Sequence, residues 1–439
     1  MALVCRMSSR PFTVAMLLMA AVVAWSAPAT GQTEKRWAND PGSASDEDGP
    51  PGRWRRARGM PGQVLSEEQR REMERLSSIG YLSGSQPAPE VAGVTIHDPE
   101  RCFEGLNFYT SGHFGGAVLM DMDGGVLHEW HCEFADAWPG ETELSEQDGA
   151  EYWRWAHLFE NGDVLAIFEG VGLIKVDKDS RLLWKHLGGE HHDLEVAEDG
   201  RIFTLTRQAH MMPEINERMP ILEDFVTILD SDGNVIREFS ILDAFRNSPF
   251  EGAPQARDIP LRGDIYHTNA IEILDGSLAD RIPAFRRGNL LLSMRQLSTI
   301  AVIDIDTEQI VWVAAGLWCE QHDPKVLTNG NIMVFDNKGA EGRSRIVEFD
   351  PVTREIEWVY GGDASTDFFT KMCGANHRLP NGNTLITESD YGRAFEVTPD
   401  LEIVWEFVNP HFAGKSGGLI ATLFDVIRLA PGFPTDWLN

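Results

Sequence analysis

LMDMDGGVLHEW (119–130), KVDKDSRLLWKH (175–186), ILDSDGNVIREF (228–239), VIDIDTEQIVWV (302–313), EFDPVTREIEWV (348–359) and EVTPDLEIVWEF (396–407) are six copies of one phrase. Each is an apolar residue or pair, a short acidic or proline-bearing turn, and an apolar strand that usually ends near Trp or Phe. Self-similarity at a period of roughly 40–55 residues marks stacked supersecondary units, each burying its face against the next. The third copy shows the whole unit. HDLEVAEDG (192–200) runs into a tight turn, RIFTLTR (201–207) returns, DFVTILDSDG (224–233) runs to a second turn, and NVIREFS (234–240) leaves. Asn-Gly and Asp-Gly dipeptides between apolar runs are strong hairpin signals. They recur at Asn161-Gly162, Asp199-Gly200, Asp275-Gly276, Asn329-Gly330 and Asn381-Gly382.

Two hairpins per repeat and six repeats give an all-β chain, a six-bladed β-propeller of four-stranded antiparallel blades over residues 101–430. Blade one is degenerate, around Leu106 to Trp130, and blade four carries an insertion, GSLADRIPAFRRGN (276–289). ATLFDVIRL (421–429) lies beyond the sixth copy and is expected to pair with blade one, closing the ring and its exposed edges. Trp130, Trp184, Trp312, Trp358 and Trp405 recur near the ends of the repeats and read as packing wedges between blades.

The chain ahead of the repeats reads differently. Arg6 and Arg10 precede an apolar run from Val14 to Trp25, and Ala27-Pro28-Ala29 offers small residues for cleavage. Residues 1–29 are therefore expected to be a secretory signal, with an uncleaved anchor as the alternative. The run is too short for a comfortable membrane span. An exported protein, periplasmic or extracellular, follows. Residues 30–62, rich in Pro, Gly, Ser and charge, read as a disordered linker. Within 63–100 one short helix is expected at 66–79, opened by a Ser66/Gln69 capping box; residues 431–439 are a tail. Apolar content of 42% supports a large core, and a formal net charge of −30 disfavours a nucleic-acid partner, whose phosphates need a basic face. Cys102, Cys132, Cys319 and Cys373 remain after the signal. An oxidising compartment would permit disulfides, with Cys319–Cys373, at similar places in consecutive repeats, the favoured pair. No CxxC spacing suggests a structural zinc site.

Candidate chemistry lies at one repeat position. Seven residues before the first-hairpin turn stand His192 in blade three and His322 in blade five, each followed by an acid, Asp193 and Asp323; His267 in blade four stands eight before. The first strand of a blade lines the central channel, so three imidazoles from adjacent blades should meet at its mouth. His157 and His377 lie only four residues before their turns and read as structural. His191, beside His192, reads as a supporting group. Arg295 sits in an apolar run, LLLSMRQLSTIAVI, and needs an anionic partner, either a carboxylate or a substrate.

The stretches HTNAIEIL with LLLSMR (267–295), QHDPKVLTNGNIMVFDNKG (321–339) and RLPNGNTLITES…GRAFEVTPDLEIVWEF (378–407) together resemble the bacterial arylsulfotransferases. These are secreted propeller enzymes that move a sulfuryl group between phenols without a nucleotide donor. The resemblance spans about 104–430 and implies His322 as a nucleophile forming a sulfohistidine. It implies His192 (or His191) and His267 as supporting histidines and Arg295 as the sulfate-binding arginine. It implies aryl sulfates and phenols as partners, and no cofactor or metal. A membrane enters only if the N-terminal segment stays uncleaved, and a homodimer is left open. The well-known members also carry an N-terminal β-sandwich domain, for which this chain has only a linker and a helix. Two other classes compete. Three histidines with Asp193 or Asp323 suit zinc or iron in a hydrolase or oxygenase. A non-catalytic extracellular binding propeller needs none of this chemistry. A quinone-dependent dehydrogenase fits less well, because no cofactor motif accompanies the six repeats.

Overall fold

The acid in the repeated phrase makes its own turn. Asp121, Asp177, Asp230, Asp304 and Asp350 each accept the backbone N–H two residues on, at 3.0, 2.9, 3.0, 3.0 and 2.7 Å. This is the Asx-turn geometry that short acidic side chains favour. Thr398 takes the place in the sixth copy, its Oγ1 accepting the Glu402 N–H at 3.2 Å. The other hairpin turns place Gly162, Gly200, Gly276, Gly330 and Gly382 at φ of 85–90°, where a side chain would be strained.

A computed structural model describes residues 65–77, 83–252, 263–339, 342–362, 368–413 and 418–438. The expected signal at 1–29 and linker at 30–62 lie outside these. The described chain forms a six-bladed β-propeller of four-stranded antiparallel blades, as the repeats required. The inner strands of blades two to six are Trp155–Leu158, Glu190–Val196, Thr268–Ile273, His322–Val326 and Ala375–Arg378. The tail strand Leu423–Leu429 is the inner strand of blade one, paired along Leu106–Ser111, so the ring closes as expected. One strand was not anticipated. Gly93–His97 pairs with Ile403–Val408 and becomes a fifth strand on the outer edge of blade six, covering an edge that would otherwise be open.

Blades are joined by side chains as well as by packing. The indole N–H of Trp130 donates to Gly162 O, Trp184 to Ser231 O, Trp358 to Pro399 O and Trp405 to Met122 O, each reaching a turn of the next blade. Trp130 and Trp405 are fully buried. The wedge therefore also satisfies its own polar atom, as a buried Trp must. The helix spans Glu67–Ser77. Ser66 and Gln69 exchange the two expected cap bonds at 2.8 and 3.1 Å. Met73 and Leu76 pack on Ala209, Met211 and Leu222 of blade three.

The expected Cys319–Cys373 disulfide is corrected. Cys102, Cys132, Cys319 and Cys373 are all free thiols. Cys319 is exposed, whereas Cys373 is buried against Tyr152 and Phe424, so the two face different surroundings.

Candidate active site

Four inner strands break register at the same end of the ring. In blade three His192 and Asp193 fall out of the ladder between the Leu194 and His191 pairings; in blade four Asn269 does so. In blade five Asp323 and Pro324 sit between the His322 and Lys325 pairings, and in blade one Phe424 is skipped. A bulge re-aims the extra side chain. The backbone is also left-handed at His192 (φ 62°), His267 (48°), Asp323 (44°) and Cys373 (59°). Each such residue costs on the order of 1–3 kcal/mol, and strain of this kind gathers where function requires a particular side-chain direction.

The bulges converge on a small cavity of about 30 Å³. His192, Asp193, Asn269, His322, Asp323 and Phe424 line it together with Arg154, Gly374 and Asp425. Of the four residues expected to act, His192 and His322 line the cavity directly. His267 stands against His192, ring centroids 4.9 Å apart. The Arg295 N–H donates to His267 O at 3.2 Å, which fixes that residue beside the histidines.

His322 is fully buried, and its tautomer is set by Asn337. The Asn337 Nδ2 donates to Cys373 O at 2.7 Å and to Thr370 O at 3.1 Å, so the amide can turn only its oxygen toward His322. Asn337 Oδ1 lies 2.7 Å from His322 Nδ1, which must therefore carry the proton and donate. Nε2 keeps its lone pair and has no hydrogen-bond partner among the described residues. Burial, then the charge of Arg295, holds the His322 imidazole well below its ordinary pKa, so it is neutral.

The other histidines form a connected set. His191 Nδ1 and His192 Nδ1 are 2.6 Å apart, and the His192 backbone N–H donates to Glu169 Oε2 at 2.9 Å. Burial and neighbouring charged or imidazole groups hold both rings well below the usual histidine range. His267 Nδ1 is 2.6 Å from Asp264 Oδ2, and its backbone N–H donates to Asp264 Oδ1 at 3.1 Å. Burial raises the proton affinity of Asp264, but His267 and Arg207 outweigh it and keep the carboxyl below its ordinary pKa. His267 thus sits in a carboxylate–imidazole pair suited to proton transfer.

Arg295 takes the carboxylate alternative: its partner is Glu320, which also accepts from Lys338 Nζ at 2.5 Å. Asp193 and Asp323 prove to be ties between blades. Asp193 accepts Leu194 N–H at 2.8 Å and Ile271 N–H at 2.9 Å, and Asp323 accepts Asn376 N–H at 2.7 Å. Neither is turned toward a shared metal position with the three histidines. Among the described residues, the donors that gather beside these histidines are Glu169, His191 and His192, within 4.8 Å of one another. Arg207 Nη1 lies 3.7 Å from Glu169 Oε1 and already balances that carboxylate, which disfavours a further cation there.

Sequence reasoning missed Arg154, Asn269 and Asn337. Arg154 stands seven residues before Asn161, the register of His192 and His322, so a search of that register for any charged residue would have found it. Blade six places Gly374 there, where an added Cβ would meet the Phe335 ring at 2.6 Å. Asn337 carries no repeat signal, because its role comes from Thr370 O and Cys373 O in the approach to the next blade.

A family model described as Arylsulfotransferase (ASST) matches residues 156–410. The chain belongs to the arylsulfotransferase family. The matched stretch holds His191, His192, His267, Arg295, His322 and Asn337, and it excludes Arg154 and Phe424. No curated protein matches the chain. Similar solved structures include a protein of unknown function from Bacteroides caccae, 13% identical, TM-score 0.47, covering 73% of this chain and 98% of that one. A streptogramin B lyase is 16% identical, TM-score 0.42, covering 80% and 96%. At such scores neither informs what the site does.

Proposed function

We propose that this arylsulfotransferase moves a sulfuryl group from an aryl sulfate ester to a phenol by a ping-pong route through His322. What supports the reading most is one observation: Asn337 holds the His322 proton on Nδ1 and leaves a buried, unbonded Nε2 lone pair at the cavity. In the first half-reaction that lone pair attacks sulfur, the S–O(aryl) bond breaks, and its electrons leave on the phenolate oxygen. The His267–Asp264 pair supplies the proton that this oxygen takes up. The sulfohistidine keeps its Nδ1 proton, so in the second half-reaction neutral imidazole is the leaving group. The incoming phenol gives its proton back to the same pair, its oxygen attacks sulfur, and the N–S bond breaks. Arg295, the arginine expected to bind sulfate, is paired with Glu320 and stands behind the cavity lining, so it adds to burial the positive field that keeps His322 neutral. Export of the enzyme remains a proposal carried by residues 1–29.

The test is turnover of a chromogenic aryl sulfate with and without added phenol, for wild type and His322→Ala. Phenol-dependent turnover, lost in the variant, together with a sulfated His322 peptide in the mass spectrum, is the expected result. Full activity in His322→Ala removes the nucleophile. Release of free sulfate at a rate indifferent to phenol makes the protein a sulfatase.

A further inference from the structure

We propose that Arg154 is a catalytic residue of the sulfuryl transfer, binding the oxygens of the transferred group at the cavity that His322 faces. The inference rests on the proposed reaction and goes beyond it. Arg154 is the one cationic side chain among the described residues lining the cavity. Arg295 is not among the lining residues, and Glu320 already takes its charge. Three carboxylates also line the cavity, Asp193, Asp323 and Asp425, a hostile setting for an anionic ester unless a fixed cation faces it. Two of them are satisfied elsewhere, Asp323 with Lys325 at 3.2 Å and Asp425 with His377 at 2.9 Å.

Placement of Arg154 is built into the fold. Its backbone N–H donates to Ile167 O at 2.8 Å, just ahead of the inner strand of blade two. Its guanidinium carbon lies 5.1 Å over the Phe424 ring, and Phe424 stacks on Tyr152 at 4.6 Å. Phe424 is the bulged residue of blade one, so closure of the ring by the tail strand supplies the surface on which the arginine rests. Residue 154 is only 6% exposed. Its charge acts on His191, His192 and His322 alike, which places it centrally among the imidazoles. A planar fork held in this way can meet two sulfuryl oxygens at once. A sulfuryl transition state spreads charge over such peripheral oxygens, so the contact strengthens as the S–O bond breaks.

The test compares Arg154→Gln, Arg154→Lys and Arg154→Ala with wild type. Loss of one preorganised donor group lowers kcat/KM for the aryl sulfate by about 10²–10³ in Arg154→Gln, with a smaller loss in Arg154→Lys. The KM for the uncharged phenol stays within about threefold. Millimolar guanidinium restores part of the activity of Arg154→Ala, which a purely structural role would not allow. In folded protein, inorganic sulfate inhibits wild type and loses its hold on Arg154→Gln. An active wild type with Arg154→Gln at more than about a third of its donor kcat/KM overturns this inference alone. So does a folded Arg154→Ala that guanidinium leaves unrescued while sulfate still inhibits it. A wild type without aryl sulfate turnover overturns the proposed reaction as well.

Discussion

Asn337→Leu keeps roughly the volume of a fully buried side chain and removes its one acceptor for His322 Nδ1. The Nδ1–H would then be buried without a partner, a penalty of about 1–3 kcal/mol. Moving the proton to Nε2, where the cavity can hydrate it, escapes that penalty. At 1.4 kcal/mol per factor of ten, the attacking tautomer falls by roughly 5- to 140-fold. Stability should fall too, but less than three lost bonds suggest. Thr370 O still accepts from Ser344 Oγ at 3.1 Å, so only Cys373 O loses its side-chain donor. The assay is the burst of phenolate on mixing enzyme with a chromogenic aryl sulfate and no acceptor, since that burst isolates the half-reaction in which His322 attacks. The burst rate should drop by the tautomer factor while donor KM moves little. Asn337→Asp gives the complementary signature. A carboxylate facing Nδ1 raises the proton affinity of His322, so an acid limb enters the burst rate. Wild type, with a ring held well below its ordinary pKa by burial and Arg295, stays flat through the range near 6.5. A folded leucine variant that bursts at the wild-type rate refutes the argument.

Two further outcomes are expected. The Glu272 carboxyl is pushed up to about 8, chiefly by burial. The folded state then binds more protons than the unfolded one, so its stabilising contribution is lost as pH rises through that value. Glu272→Gln should therefore gain melting temperature relative to wild type between about pH 5 and about pH 9, and a gap that shrinks over that interval contradicts the linkage. Ending the chain at Gly418 removes Leu423–Leu429 and leaves Leu106–Ser111 without its inner partner. Such a protein should show no cooperative melt, and an unchanged transition would show that closure is dispensable.

Much of the architecture was legible because propeller repeats use local rules. An acid two residues before a turn N–H, a glycine at positive φ and a terminal Trp act within one repeat or between adjacent ones, so each leaves a mark in most of the copies. The Ser66/Gln69 cap is local in the same sense. The register of His192, His267 and His322 was legible too, yet searching it for histidines alone passed over Arg154. The fifth strand, Gly93–His97, left no mark, since its partner lies some three hundred residues on. The carboxylate held by Arg295, Glu320, was equally silent: the pair forms between a loop of blade four and the approach to blade five.

The sequence by itself determined six repeats, the strand that closes them, and which blades carry ionisable groups toward one end of the ring, because these follow from periodicity and position within a repeat. Only tertiary structure decided what those groups can do. Register skips at His192–Asp193, Asn269, Asp323–Pro324 and Phe424 turn the side chains inward. Two carbonyls, from Thr370 and Cys373, orient Asn337 and so choose the nitrogen of His322 that is free to attack. Bulges and buried hydrogen bonds depend on which strands and loops meet across the ring, and chain-local patterns do not encode that.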